Sequence, residues 1–281
     1  MDDLLGRVAV VTGASSGIGL GIARQLARRG VRIVLVGRNE LALSQAASET
    51  GGFAVCADVT DREAMRRVAE ATLERFGRVD ILVNNAGIGP TGRIRDMTHA
   101  DWKWMLDANV WSVINGIEVF LPLLSAIPAG GHIVNTSSIS GMFTAPTIGG
   151  YATTKYAVVA ISETLAQELS QDGGRVGVSV FLPGPVRSNI HQSSRNRPED
   201  GAGSGLRDSR LEDAEGFENV TIPWMEADEA GELVVEAILT NRFYVWTHPE
   251  GTAPIVERFR RIEDSIGATA CLLDNARTPD K

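Results

Sequence analysis

Cysteine is scarce in this 281-residue chain: Cys56 and Cys271 are the only two, far apart and without histidines at motif distance. That excludes a disulfide framework and a Cys/His metal centre, so the expectation is no metal, one buried thiol and one thiol in the tail. A basic excess is also missing, since 27 Lys and Arg face 35 Asp and Glu for a formal charge of -8. Nucleic acid is therefore not an expected partner, because phosphate neutralisation needs a cationic surface. The stretch Ile133 to Thr154 has no charged side chain, but Asn135, several hydroxyls, Pro146 and paired glycines interrupt it. Such a segment does not enter a bilayer. Met1-Asp2-Asp3-Leu4 carries acid where a secretory signal carries positive charge, with no long apolar stretch behind it, and the expected location is cytoplasmic. What the chain does have is 43% hydrophobic residues, enough for a sizeable core.

Those residues are spaced as alternating strands and helices. Val8 to Val11, Arg32 to Val36, Phe53 to Ala57, Ile81 to Val83, His132 to Thr136 and Val176 to Leu182 are short apolar runs. Helix-period segments separate them: Gly19 to Arg29, Leu41 to Thr50, Asp61 to Phe76, Asp101 to Leu124 and Tyr151 to Ser170. Strands apolar on both faces and joined by helical crossovers imply a sheet covered on both sides. The fold class is α/β, a doubly wound Rossmann-like domain with a central, mostly parallel sheet flanked by helices. It is expected over residues 1–266, with an insertion at about 187–221 and a mobile tail over 267–281. Helix-like Ala227 to Leu239, strand-like Phe243 to Trp246 and a helix from Pro254 to about Ile266 follow the insertion, which places it inside the domain.

The first strand leads through Thr12-Gly13-Ala14-Ser15-Ser16-Gly17-Ile18-Gly19 straight into a helix. Glycines at these positions allow a sharp turn and close backbone approach to a pyrophosphate, whose charge meets the helix's free N–H groups. The second strand ends at Gly37-Arg38, where an acid would bind a ribose 2′-hydroxyl. Arg38 instead suits a 2′-phosphate, which favours NADP(H) while leaving NAD(H) open; the plain alternative is a solvated arginine in a turn. Asp58 and Val59 after the third strand, and Asn84-Asn85-Ala86-Gly87 after the fourth, offer polar and small residues beside such a cofactor. Either segment alone also fits turn chemistry.

Tyr151 and Lys155 stand four apart and share one helix face. A nearby ammonium favours phenolate and lowers a tyrosine pKa from about 10, so the pair forms an acid/base device, although the same spacing is common on helix surfaces. Ser138, at the end of a strand, can hold a carbonyl or alcohol oxygen. Asn109 lies in the long helix, where an amide is commonly just tolerated polarity.

Taken together, Gly13, Gly17 and Gly19, Asn84 through Gly87, the set Asn109, Ser138, Tyr151 and Lys155, and Pro183-Gly184-Pro185-Val186 resemble the short-chain dehydrogenase/reductase superfamily. The resemblance covers about Gly6 to Pro249. It implies hydride transfer between nicotinamide and a ketone or secondary alcohol, with Tyr151 exchanging the proton and Ser138 orienting the oxygen. Lys155 would lower the tyrosine pKa and bind the nicotinamide ribose, and Asn109 would hold a water linking the lysine to solvent. Cofactor contacts fall on Gly13, Ser15, Ser16, Gly17, Ile18, Gly19, Arg38, Asp58, Val59, Asn85, Ala86, Gly87, Tyr151, Lys155, Pro183, Gly184, Val186 and Ser188. A homodimer or homotetramer is implied as well, with the helices of Asn109 and Tyr151 facing a partner subunit. A non-catalytic dinucleotide sensor is the rival from another class, but such proteins usually lack the tyrosine. A sugar-nucleotide epimerase would need a larger C-terminal domain.

The substrate is a small molecule. Met142, Phe143, Ile190 and His191 are candidate pocket residues for a bulky or aromatic ketone or alcohol, with Trp111 nearby. Core or interface packing is the equal alternative for the aromatics. Arg187 to Thr221 is rich in glycine and charge and is expected to be a lid, only marginally stable when closed without ligand, whose Ile190 and Leu206 or Leu211 contact substrate; a solvated loop is the other reading.

Overall fold

In the computed structural model, residues 3–198, 203–213 and 221–277 are described, without the side chains of 271–277. Seven strands form one fully parallel sheet: β1 (Val8–Thr12), β2 (Arg32–Gly37), β3 (Phe53–Cys56), β4 (Ile81–Asn84), β5 (Gly131–Thr136), β6 (Val176–Leu182) and β7 (Tyr244–Trp246). Their spatial order is β3-β2-β1-β4-β5-β6-β7. The order reverses at β1 and β4, so their C-terminal ends, Thr12 and Asn84, open a crevice.

Alternation along each strand divides the core. Ala9, Val11, Ile33, Leu35, Ile81 and Val83 face one layer, with α1 (Gly17–Arg28), α2 (Glu40–Thr50) and α7 (Ala227–Thr240). Val8, Val10, Val34, Val36, Leu82 and Ile133 face the other, with α3 (Arg62–Phe76), α5 (Ser112–Ser125) and α6 (Gly149–Gln171). Both faces of β1 are completely buried, at about 1.5–3 kcal/mol for each large apolar side chain, which is why its sequence reads as an unbroken apolar run.

The long helix expected over Asp101 to Leu124 differs in two respects. It begins earlier, as α4 (His99–Leu106), because Thr98 and Asp101 form a reciprocal capping box. It is also interrupted by a π turn, Asp107–Trp111, in which the Ser112 N–H bonds the Asp107 carbonyl five residues back. Cys56 is exposed rather than buried, since β3 is an edge strand.

The chain forms two compact units, Met1–Thr247 and His248–Lys281, and the whole sheet lies in the first. In the second unit, α8 (Ala253–Arg277) continues past Ile266 into the residues expected to be tail, where alanines sustain the helix. Residues 278–281 lie outside the described residues.

Candidate active site

The crevice floor is set by Thr12. Its hydroxyl accepts the Asn85 and Ala86 N–H groups at 2.9 and 3.0 Å and donates to the Val83 carbonyl, while Asn85 Nδ2 donates to the Thr12 carbonyl. This holds the Asn-Asn-Ala-Gly turn against the glycine loop. Gly13 and Gly17 are left-handed, and a Cβ on Gly19 would collide with the Gly13 carbonyl and lie 2.6 Å from Asn85 Nδ2. A Cβ on Gly17 would lie 2.9 Å from Ser188 Cβ, so the start of the insertion packs directly on this loop. Ser16 caps α1 in extended geometry without using its side chain on the helix N–H groups. Glycines whose backbone is approached this closely, leading into an uncapped helix start, fit a dinucleotide pyrophosphate. Ser15 borders Gly37, with its hydroxyl 3.6 Å from a Cβ position there, and half-buried Ile18 packs into the core below.

Arg38 is half exposed and pairs with Asp58 at 3.4 Å. Asp58 is fully engaged: one oxygen accepts the Thr60 N–H and hydroxyl, the other faces Arg38. Burial pushes the Asp58 carboxyl up, but these donors outweigh it and hold its pKa below the usual range. Next to it, the Val59 carbonyl accepts from Asn115 on α5.

At the other end of the crevice, β5 delivers Ser138 and α6 delivers Tyr151 and Lys155. Ser138 caps the turn Ile139–Gly141 and lies within donating reach of both the Pro183 carbonyl, at 3.4 Å, and the Tyr151 hydroxyl. Burial raises the Tyr151 pKa, and the Ser138 hydrogen bond partly offsets this. Lys155 is buried and donates to the Thr136 carbonyl at 3.0 Å, and burial lowers its pKa to about 8. Desolvation is the largest influence on both groups, raising the phenol and lowering the ammonium.

Asn109, in the π turn, spends its amide on the fold. Its Oδ1 accepts the Ile88 N–H at 2.8 Å, and Nδ2 donates to the Ile88 carbonyl and Thr154 Oγ1, each at 2.9 Å. It thereby fixes the segment after Gly87 to α6. A Cβ at Gly87 would lie 3.0 Å from Asn109 Oδ1 and 3.5 Å from Lys155 Nζ, which brings the cofactor-side turn to the lysine.

The insertion starts with a pinch. Val186 bridges Met225, and the N–H groups of Met225 and Arg187 bond the Pro185 and Met225 carbonyls. Gly184 donates to Thr247 Oγ1 at 2.8 Å, seating the Pro183-Gly184 turn. Ile190 lies over Gly89, where a Cβ would stand 2.9 Å from Ile190 Cγ1 and 3.6 Å from Tyr151 Cε2. His191, the next residue, is half-buried. Met142 is half-buried against Val159, Val180 and Leu182, and Phe143 is half-buried in the following loop. Trp111 is 53% exposed on the outer side of the π turn and packs into neither core layer.

Within the segment expected to be a lid, described residues of the insertion bond to α4. Asp101, fully buried, accepts from Arg197, from Ser204 Oγ at 2.7 Å and from the Gly205 N–H at 3.2 Å, besides the Thr98 N–H. Burial pushes its carboxyl up, but Arg197 and the other donors hold its pKa far below the usual range. The Arg197 guanidinium lies 5.0 Å over the Trp104 ring. Residues 199–202 and 214–220, part of the expected lid, lie outside the described residues. Asp101, Arg197, Ser204 and Trp104 were not legible as site residues, because nothing local marks two side chains 96 positions apart as partners.

The family model for short chain dehydrogenase matches residues 7–199. A C alpha-dehydrogenase of Sphingobium sp. is 31% identical over 272 residues, 95% of this chain and 88% of the relative. A CLA biosynthesis dehydrogenase/reductase of Lactiplantibacillus plantarum is 30% identical over 93% of this chain and 95% of its own length. A short-chain dehydrogenase/reductase of Burkholderia phymatum, solved in complex with NAD, superposes with a TM-score of 0.85 at 34% identity, covering 94% of this chain and 97% of that one. The chain belongs to the short-chain dehydrogenase/reductase family. It is an oxidoreductase of the class that acts on CH–OH or C=O groups with a nicotinamide cofactor.

Proposed function

We propose that the protein transfers hydride between a nicotinamide cofactor and a ketone or secondary alcohol carrying a bulky or aromatic group, with Tyr151 exchanging the proton. The observation that carries this is the convergence of Ser138, Tyr151 and Lys155 at one end of a crevice whose other end is the glycine cradle. When bound, the nicotinamide supplies or accepts the hydride. The chain's own residues manage the oxygen and its proton. In reduction, Tyr151 gives its hydroxyl proton to the carbonyl oxygen as the alcohol forms, and Ser138 donates to that oxygen while negative charge develops on it. A phenol held above its ordinary pKa is protonated at neutral pH, the state that a donor needs. Lys155 holds positive charge beside the ribose position, and Asn109 keeps α6 and the Gly87 turn in register.

Gly13, Ser15, Ser16, Gly17, Ile18 and Gly19 would hold the pyrophosphate side, and Asn85, Ala86, Gly87, Pro183, Gly184, Val186 and Ser188 the nicotinamide side. Arg38 favours NADP(H), since an arginine and not an acid stands directly after β2. NAD(H) is the second reading, favoured by the Arg38–Asp58 pair, which puts a carboxylate beside the same position. Similarity to a C alpha-dehydrogenase and to a dehydrogenase/reductase supports oxidation of an alcohol or reduction of a ketone. Exposed Trp111 on the helix that bears Asn109 supports a homodimer or homotetramer. A nicotinamide-absorbance screen over ketones and secondary alcohols, run with both cofactors, tests the reading: turnover supports it, and cofactor binding without turnover of any class would favour a dinucleotide sensor.

A further inference from the structure

We propose that the buried Asp101–Arg197–Ser204 cluster is a latch that holds Leu206 and Ile190 as a wall beside Tyr151, so that Leu206 sets substrate size and Asp101 and Arg197 are positioning residues. The inference rests on the reading that Tyr151 is the reacting end of the site.

Capping α4 requires only the exchange between Thr98 and Asp101. A carboxylate with that role alone would sit in solvent. Asp101 is instead fully buried, and three further donors reach it, all from the insertion: Arg197, Ser204 Oγ and the Gly205 N–H. Arg197 also donates to Ser204 Oγ at 2.7 Å, and its guanidinium covers Trp104. A buried ion pair adds little net stability over apolar packing, but it fixes the geometry of whatever it joins. Here it joins the first turn of the helix that leads to Asn109 to the segment that carries Leu206.

Leu206 immediately follows the anchored residues. Its N–H donates to Ser204 Oγ at 3.0 Å, and the next residue, Arg207, forms a two-bond antiparallel bridge with Thr91. The Leu206 side chain packs against the cluster of Ile88, Trp104 and Met105, against which Tyr151 also packs. A second tie works on the other arm: the Gly89 N–H donates to buried Ser193 Oγ at 2.9 Å, and that hydroxyl donates to the Ile190 carbonyl at 2.6 Å. Ile190 and Leu206 are therefore both tied to the Ile88–Thr91 strip that leads away from the cofactor turn. An apolar wall of this kind accepts a flat aromatic group next to the reacting carbon and limits how far that group extends toward Leu206.

The test uses the full-length protein and a series of ketones that differ only in the bulk of one substituent. Leu206→Ala is expected to shift the large-to-small ratio of kcat/KM by about tenfold or more toward the larger ketone, mainly through KM, with cofactor affinity within about twofold of wild type. Arg197→Met is expected to give the same shift and to speed hydrogen exchange across 203–207, and adding Leu206→Ala to it should produce little extra change. Should Arg197→Met fold poorly, Arg197→Lys, which keeps the charge but not the forked donor geometry, takes its place. An unchanged size ratio in Leu206→Ala with an active wild type overturns the wall, and unchanged exchange in the Arg197 variants overturns the latch. A wild type that turns over no ketone or alcohol overturns the reading of Tyr151 itself, and is seen before any variant is compared.

Discussion

The Lys155 ammonium lies 5.6 Å from the centre of the Tyr151 ring and donates to the Thr136 carbonyl rather than to the phenol. The two side chains share one face of α6, as the four-residue spacing requires, yet each is governed first by its own burial. A lysine whose pKa is lowered to about 8 is a weaker and more pH-sensitive charge than a surface lysine. Cofactor binding that depends on its charge should therefore weaken as pH rises through about 8. Lys155→Ala should remove that dependence and lower both affinity and rate, as titration calorimetry at pH 7 and 9 would reveal.

His132 offers a stability test outside the site. It is buried in β5 with Nε2 2.8 Å from Ser179 Oγ, and burial lowers its pKa to about 3. The unfolded chain takes up this proton below about pH 6.5 while the folded protein does not, so stability falls as pH drops from 6.5 toward 3. Between pH 6.5 and 5 the loss is about 2 kcal/mol. Urea unfolding of wild type and His132→Asn at both pH values should show a shallower pH dependence in the variant; equal slopes would contradict the assignment.

Gly19→Ala places a methyl group against the Gly13 carbonyl and Asn85. Overpacking of this kind costs about 1–3 kcal/mol. If it is taken from the pyrophosphate cradle, cofactor affinity falls about tenfold to a hundredfold. Fluorescence titration with reduced cofactor measures it, and unchanged affinity would remove this loop from the cofactor site.

Arg38 and Asp58 compete for the same position. Asp58→Asn should release Arg38 and strengthen NADP(H) binding relative to NAD(H), while Arg38→Ala should weaken NADP(H) selectively, by about tenfold for an exposed charge-assisted bond. Equal effects on the two cofactors in calorimetry would take Arg38 out of cofactor selection.

The architecture was legible because it is periodic. β1 shows apolar residues on both faces, and Gly13 to Gly19 lies where strand meets helix, so local pattern and global fold agree. The π turn was not legible, since the bonds between its Asn109 and Ile88 and Thr154 exist only after folding. The same holds for the insertion. Its composition reads as a lid, and nothing in that composition shows that the Asp101 carboxylate on α4 gathers Arg197, Ser204 and Gly205. The packing of Met142 toward β6 was not legible either, since its nearness to Ser138 in sequence says nothing of contacts with Val180 and Leu182.

The central claim is that Tyr151 moves the proton in a nicotinamide-dependent reaction. The direct measurement is turnover of wild type and Tyr151→Phe on the best ketone or alcohol from the cofactor-coupled screen, together with cofactor affinity. Loss of the hydroxyl should lower turnover by about 10²- to 10⁴-fold with affinity essentially unchanged, because only proton transfer is removed. Turnover in Tyr151→Phe close to that of the wild type would contradict the account.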